Sequence, residues 1–379
     1  MRTLYRAFKN CDKVLLFFTI VLISYGLLNI VTASSRQAVT QDVPLYHYFY
    51  QQSKMILLGG FVSLFIFCVD TKHYKHFMWF FYGVILFFLI VLLVKGSSHR
   101  GSINWLKIGP ITFQPSEFAK PVLIASLSIL LERFYAFFRR KDISHVVLII
   151  IVLLVGVLIP GIVVYQKDFG TAMILIGIFG VLFLASPILR IEKLRTILIV
   201  LGVGTIGILG LLATGHELLT EEQKSRFDFY NPCSNYEDGG YQICNGFIAI
   251  HDGGLFGLGI GKSKQKYSYI PEPHTDSVFA IIVEEYGLLF SLGILMVFLI
   301  ILYRILRISA LSNTLRGRYI SLGVATYMFL HILINLGGLF GVMPLTGVPL
   351  PFLSYGGSFT ISLICAISMV QRVHIEMKQ

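Results

Sequence analysis

Charged residues are scarce in this chain of 379 residues. Asp, Glu, Lys and Arg together make up 13% of the sequence, whereas hydrophobic residues make up 55% and the mean hydropathy is +0.76. One soluble core could not bury so much apolar surface, so the composition excludes a soluble globular protein. The sequence instead predicts an all-α polytopic membrane protein.

Motifs for metals, nucleotides and nucleic acids are also missing. No two of the five cysteines form a C-x-x-C pair, which argues against a zinc site. Gly261-Lys262-Ser263 resembles the end of a phosphate-binding loop, but Phe256 stands where that loop requires glycine. The net charge of +11 comes without a basic stripe interleaved with aromatics, so nucleic acid is excluded as a partner.

Long apolar stretches divide the chain. Each has close to the ~20 residues that a helix needs to cross a bilayer, which predicts ten transmembrane helices in a single membrane domain, residues 1–379. Lys and Arg concentrate in the terminal segments and in alternate short connections, so both termini are predicted to be cytoplasmic. The predicted helices lie at about 14–33, 54–70, 74–95, 117–138, 145–164, 169–188, 195–214, 276–303, 319–340 and 357–372.

Two connections on the outer side are unusual. Residues 215–275 form the longest loop and contain Cys233 and Cys244, which an outside compartment allows to be either paired or free. Residues 341–358 contain Pro344, Pro349 and Pro351. Proline breaks regular helix, and irregular backbone is tolerated at membrane depth only beside protein or water. This stretch is therefore predicted to line a cavity.

Ionisable residues stand at the outer ends of two predicted spans. Asp276 begins the eighth span, where Thr275 or Asp276 either caps the helix or supplies a general base at the water–lipid boundary. Glu117 and Lys120 are three residues apart in the fourth span. Each costs about 2.5–3.5 kcal/mol when it faces lipid at the helix centre, so both are predicted to face a cavity. They form either a local pair or a cationic contact for an anionic headgroup.

Further residues near the same face have two interpretations each. Trp105 is either an interfacial anchor or a platform over the entrance for a sugar or lipid, and Asp168 either caps the sixth helix or joins the cavity. Glu284 and Glu285 are expected deeper in the eighth span, as buried helix–helix contacts. An apolar, glycine-broken segment suits the membrane interface and is followed by Lys262, Lys264 and Lys266, for which solvated loop positions are the simpler interpretation.

Four blocks in this order resemble one protein family. They are INWLKIGPITFQPSEFAK, YQKDFGT, PEPHTD followed by IIVEEYG, and GVPLPFLSYGGS. Together with the ten spans they are similar to the SEDS family of bacterial wall-synthesis proteins (RodA, FtsW and SpoVE), more closely to its division branch, FtsW. The resemblance covers nearly the whole chain.

The resemblance implies a peptidoglycan glycosyltransferase that polymerises lipid II, for cell division or for cell elongation and shape. The essential aspartate of the family falls on Asp276, and the resemblance implies a class B penicillin-binding protein, a transpeptidase, as partner. Substrate-binding positions carried over from the family are Trp105, Glu117, Lys120, Gln166, Asp168, Arg226, His274 and Thr275.

The implied chemistry needs one base and a cationic site. Asp276 is expected to take the proton from the acceptor sugar's 4-hydroxyl, with inversion at the donor's anomeric carbon and undecaprenyl diphosphate as leaving group. Lys120, Arg226 or a divalent cation, Mg²⁺ or Mn²⁺, bound at Asp276 are candidates for neutralising the diphosphate. The alternative function is a lipid-linked precursor flippase, which needs polar groups reachable from both faces.

Overall fold

Helices make up most of the described structure. The computed structural model describes residues 7–99, 102–109, 111–138, 145–213, 229, 231–234, 240–268, 270 and 273–379. The helices are α1 (Lys13–Ala33), α2 (Ser35–Thr40), α3 (His47–Cys68), α4 (Tyr74–Lys95), α5 (Pro115–Phe138), α6 (Val146–Tyr165), α7 (Phe169–Ala185), α8 (Arg190–Ala213), α9 (Tyr241–Gly253), α10 (Gln265–Ser268), α11 (Val278–Tyr286), α12 (Leu288–Leu311), α13 (Leu315–Leu339) and α14 (Gly357–Met377). The strands are β1 (Ser97–His99), β2 (Ser102–Ile108) and β3 (Ile111–Phe113).

The membrane helices follow the predicted spans closely. Within the described ranges, eight helices are long and apolar enough to cross a membrane: α1, α3, α4 with the short 3₁₀ turn before it, α5, α6, α12, α13 and α14. The predicted sixth span is the 17-residue helix α7, and the predicted seventh lies in α8, which begins at Arg190. The prediction of an all-α polytopic membrane protein is confirmed, and the count of ten spans stays a prediction.

The predicted eighth span, residues 276–303, is wrong. The chain breaks at Gly287 into α11 and α12, and α12 alone has the 24 residues needed to cross the bilayer. Gly287 has φ +85°, and a Cβ there would lie 2.4 Å from the Leu255 carbonyl oxygen, so only glycine permits the break. The helix α11 is therefore a separate element before the membrane span.

The last helix, α14, lies at the centre of the bundle. Within its most apolar stretch 94% of residues are buried, compared with 17% for α3, whose apolar side chains point outward. Helices α5 and α13 are the next most buried spans. Buried polar residues in this centre face protein and not lipid, as the cost of exposing them to hydrocarbon requires.

A small antiparallel sheet, absent from the sequence prediction, covers one side of the bundle. Its order is β1-β2-β3, with Trp105 opposite Ser97 and Leu106 opposite Phe113. The Ile103 N–H donates to the Gln166 carbonyl oxygen at 3.0 Å, which fixes the sheet to the end of α6. The sheet thereby places Trp105 beside the start of α7.

Candidate functional site

The predicted site residues gather around one cavity of about 650 Å³. Its walls come from β2, the first turns of α5 and α7, helix α9, the segment before α11, and the non-helical stretch between α13 and α14. The irregular backbone predicted for residues 341–358 is present up to Gly356, where α14 follows, and it lines the cavity. The residues predicted from the sequence that lie in the cavity wall are Trp105, Glu117, Lys120, Asp168, Thr275 and Asp276.

Two predicted residues that the structure describes are not in this wall. His274 is buried between the rings of Tyr48 and Tyr355, at centroid distances of 4.9 and 5.5 Å. Gln166 is buried and donates from Nε2 to the Leu89 carbonyl oxygen at 2.8 Å, so its side chain joins the end of α6 to α4. Both positions are structural supports in this conformation. Arg226 lies outside the described residues.

The side chain of Asp276 is buried beside the cavity. Its Oδ1 accepts a hydrogen bond of 3.1 Å from Gln242 Nε2, which also donates to Ser277 Oγ at 2.9 Å. The N-cap residue of α11 is Ser277, not Thr275 or Asp276, and the Ser277 side chain makes no capping hydrogen bond. The carboxylate thus faces the cavity and α9.

Asn335 of α13 and Gly347 of the loop that follows it set the position of Asp276. The Asn335 amide donates through Nδ2 to the Asp276 carbonyl oxygen and to the Val348 carbonyl oxygen, each at 2.8 Å. Gly347 has φ +73°, and a Cβ at this position would lie 3.9 Å from Asp276 Oδ2. Because glycine has no side chain, space stays open beside this carboxylate oxygen.

Glu117 and Lys120 form a buried pair in the cavity wall. Lys120 Nζ lies 2.8 Å from both oxygens of Glu117 and 3.0 Å from His331 Nε2, so all three ammonium protons have acceptors. His331 Nδ1 lies 3.0 Å from the Pro349 carbonyl oxygen and donates to it, which makes Nε2 the acceptor. The local-pair interpretation of Glu117 and Lys120 therefore describes this conformation.

A proline in α5 completes this arrangement. Pro121 has no N–H to donate to the Glu117 carbonyl oxygen four residues earlier. That carbonyl oxygen instead accepts from Ser362 Oγ of α14 at 2.7 Å. The Ser362 hydroxyl thus replaces the missing backbone donor and links α5 to the central helix α14 beside the ion pair. This hydrogen bond fixes the backbone that carries Glu117.

Asp168 both caps a helix and connects the sheet to the cavity. Its Oδ1 accepts from the Thr171 N–H at 3.2 Å, which confirms the predicted cap of α7. Its Oδ2 accepts from Asn104 Nδ2 at 3.0 Å and from Gln114 Nε2 at 3.1 Å. The carboxylate therefore holds β2 and the start of α5 against α7.

Glu284 and Glu285 are buried as predicted, and they contact the short helix α10 and the residues just before it rather than another membrane span. Glu284 accepts hydrogen bonds from Ser263 Oγ and from the Lys264 N–H, at 2.8 Å for the latter. Glu285 pairs with Lys266 at 2.6 Å, and both side chains are buried. The interpretation of Lys266 as a solvated lysine is wrong, because its side chain is buried. The two carboxylates hold the preceding loop onto α11.

A disulfide joins the two loop cysteines. Cys233 and Cys244 are bonded, with their Cα atoms 5.0 Å apart. Cys244 lies in α9, two residues after Gln242, so the bond ties another part of the long loop to the helix that contacts Asp276. The alternative of two free thiols, left open by the sequence, does not describe this structure.

Sequence reasoning missed Gln242, His331 and Asn335. His331 and Asn335 are four residues apart in α13, so they lie on one face of an otherwise apolar span. Polar residues inside a span usually face a bundle interior or a cavity, and this signal could have identified both. Gln242 lies in a loop helix with no such pattern, and the sequence offers no comparable signal for it.

The residues around the cavity do not form an evident metal site. In the part of the chain that the structure describes, no group of three or more His, Cys, Asp and Glu side chains could hold a metal ion. The carboxylates of Asp276 and Asp168 accept hydrogen bonds from side-chain amides, whereas Mg²⁺ needs several oxygen ligands in octahedral geometry. The divalent cation predicted at Asp276 stays a prediction, and the proposed chemistry does not depend on it.

The chain is similar to known proteins along nearly its full length. Residues 13–379 match the family described as cell cycle proteins FtsW, RodA and SpoVE. Stage V sporulation protein E of Bacillus subtilis (strain 168) is 31% identical over 371 residues, which cover 96% of each chain. The "probable peptidoglycan glycosyltransferase FtsW" of Coxiella burnetii is 32% identical over 372 residues, again covering 96% of each chain.

Solved structures show the same fold. A chain of a peptidoglycan synthase complex, studied for its coordination of polymerization and crosslinking, has a TM-score of 0.74 at 24% identity, covering 97% of this chain and 99% of that one. The rod shape determining protein RodA of Thermus thermophilus has a TM-score of 0.68 at 24% identity, covering 97% of this chain and 98% of that one. With the family match and relatives above 30% identity, these findings show that the chain belongs to the FtsW/RodA/SpoVE family.

Proposed function

We propose that this protein is a peptidoglycan glycosyltransferase that polymerises lipid II at the outer face of the cytoplasmic membrane. The observation that carries the proposal is the buried carboxylate of Asp276 beside a cavity of about 650 Å³ at the membrane surface. Several relatives over nearly the whole length are named as peptidoglycan glycosyltransferases. The function belongs to cell division, as in FtsW-like members, or to elongation and cell shape, as in RodA-like members.

Asp276 is the general base in this proposal. Gln242 fixes Oδ1, and Gly347 leaves room beside Oδ2 for the acceptor sugar. The carboxylate takes the proton of the acceptor's 4-hydroxyl group while the oxygen of that hydroxyl group attacks the anomeric carbon of the donor. The bond to the diphosphate breaks, undecaprenyl diphosphate leaves as an anion, and the configuration inverts. Asp276 then returns its proton to water.

The departing diphosphate needs positive charge, since a diphosphate leaves without protonation by an acid. Lys120 can contact the diphosphate only after Glu117 or His331 releases the Lys120 ammonium group, because both residues bind that group in this conformation. Lys167 also lines the cavity wall, next to Asp168. Lys120, Lys167 and Arg226 are therefore the proposed cations, with a divalent ion as an additional candidate.

The proposed partner is a class B penicillin-binding protein that crosslinks the new strands. The fold matches a chain taken from a peptidoglycan synthase complex, which supports an assembly of this kind. The proposed orientation has both termini in the cytoplasm, because Lys and Arg concentrate in the terminal segments and alternate connections. A flippase is not favoured, since the polar cavity residues gather at one end of the bundle.

The test is glycan synthesis by the purified protein with fluorescent lipid II in nanodiscs, with and without the partner. Asp276→Asn should lower the rate by about 10²–10⁴-fold, the usual contribution of a general base, at unchanged thermal stability. Asp42→Asn is a matched control, because Asp42 is exposed in a turn away from the cavity. Full synthesis by Asp276→Asn, or lipid translocation without polymer by the wild type, would overturn the proposal.

A further inference from the structure

The loop after α9 is bonded to the first residues of a membrane span. The N–H groups of Leu288 and Leu289 donate to the carbonyl oxygens of Gly254 and Leu255, at 2.9 and 3.2 Å. First-turn N–H groups have no partner within their own helix, so the loop caps α12. Because α12 has only the length needed to cross the bilayer, its first residues lie at the membrane boundary. The loop must lie at this boundary too.

The segment that follows Gly254 presents large apolar side chains outward. We define residues 255–260 as the apolar tip. Phe256 is 81% exposed, Ile260 66% and Leu255 55%. Leu289 and Phe290, at the start of α12, are also exposed, so the apolar tip continues the lipid-facing surface of the span without an interruption. Contiguous apolar surface of this kind marks an interaction site.

The lysines after the tip divide into two kinds. Lys262 and Lys264 are exposed, whereas Lys266 is buried against Glu285. Exposed lysines beside an apolar segment at a bilayer surface can reach lipid phosphates. We propose that the apolar tip inserts into the acyl region of the adjacent leaflet, with Lys262 and Lys264 at the level of the phosphate groups.

The tip is held rigidly to α11. The N–H groups of Leu258 and Gly259 donate to the carbonyl oxygens of Glu284 and Glu285, each at 2.9 Å. Both glutamate side chains bind the residues just after the tip. Since α11 starts two residues after Asp276, insertion of the tip sets the height of this residue above the lipid. The bilayer itself then helps to place the cavity.

Tryptophan fluorescence in nanodiscs tests the insertion. Phe256→Trp adds an emission that should be lost when the acyl chains are brominated near their carbonyl ends and should resist aqueous acrylamide. His251→Trp is the control, since the His251 side chain on α9 is 90% exposed. Its emission should be quenched by acrylamide and retained in brominated lipid. The wild-type signal of Trp79 and Trp105 is subtracted from both.

One result overturns the proposal. If the emission added at position 256 is quenched by acrylamide as fully as that at position 251 and is unaffected by brominated lipid, the tip lies in water. The tip would then be a surface for another protein, which is absent from this measurement. An exposed aromatic side chain is replaced by another, so the variant should fold, and unchanged thermal unfolding verifies this.

Discussion

The buried pair of Lys120 and Glu117 gives a sharp prediction for stability. Lys120→Met keeps most of the side-chain volume but leaves the Glu117 carboxylate buried without its cation. Removing one partner of a buried pair costs about 3–5 kcal/mol, whereas replacing both by neutral groups often costs little. We expect Lys120→Met to lower the free energy of unfolding by about 3–5 kcal/mol, and Glu117→Gln combined with Lys120→Met to recover most of this loss.

The measurement is a double-mutant cycle on the unfolding free energy, by SDS titration in mixed micelles. Lys75→Met is the control, because Lys75 is exposed and surface substitutions stay within about 0.5 kcal/mol of the wild type. Glu117→Gln alone should also be destabilising, since it leaves the ammonium group with only His331 as a strong acceptor. If the double variant costs the sum of the single variants to within about 0.5 kcal/mol, the two side chains are independent and the reasoning fails.

Three further predictions follow from other contacts. Gly347→Ala should lower glycan synthesis and cost about 1–2 kcal/mol, because φ is +73°; unchanged rate and melting temperature would contradict this. Lys266→Met should cost about 3–5 kcal/mol by SDS titration, with recovery when Glu285→Gln is added, and no recovery would argue against the pair. Burial raises the pKa of Asp70, but the hydrogen bond from Lys72 and nearby positive charge outweigh it and hold this pKa below its ordinary value. The low pKa stabilises the folded protein fully above about pH 4, and this stabilisation is lost as the pH falls through the lower folded-state pKa. The free energy of unfolding of Asp70→Asn should therefore change less between about pH 5 and pH 2 than that of the wild type. An unchanged acid slope would refute this assignment.

The sequence was sufficient to predict most of the helices and part of the site. Hydropathy located the membrane helices because a span must be continuously apolar, and the prolines of residues 341–358 excluded helix there. The cap at Asp168 followed from its place before an apolar run. These features depend on local physics that a short window of sequence contains.

The remaining features depend on contacts between distant segments. The break at Gly287 is stabilised by backbone bonds to residues 254–259, and a glycine within an apolar run carries no sign of such a partner. The pairing of Lys266 with Glu285 likewise needs the loop to fold back on α11. Gln242 reaches Asp276 only because α9 packs beside it. No spacing rule connects these residues along the chain.

The side chain of Asn335 has a consequence for how the cavity can widen. Its amide nitrogen Nδ2 donates one hydrogen bond to the Asp276 carbonyl oxygen and one to the Val348 carbonyl oxygen. The two N–H bonds of this nitrogen thus join segments that are far apart in sequence. These two segments cannot separate without leaving a buried amide hydrogen or carbonyl unsatisfied. The wall that they form moves as one piece. Room for a bulky glycan chain must therefore come from other parts of the cavity wall, such as β2 with Trp105.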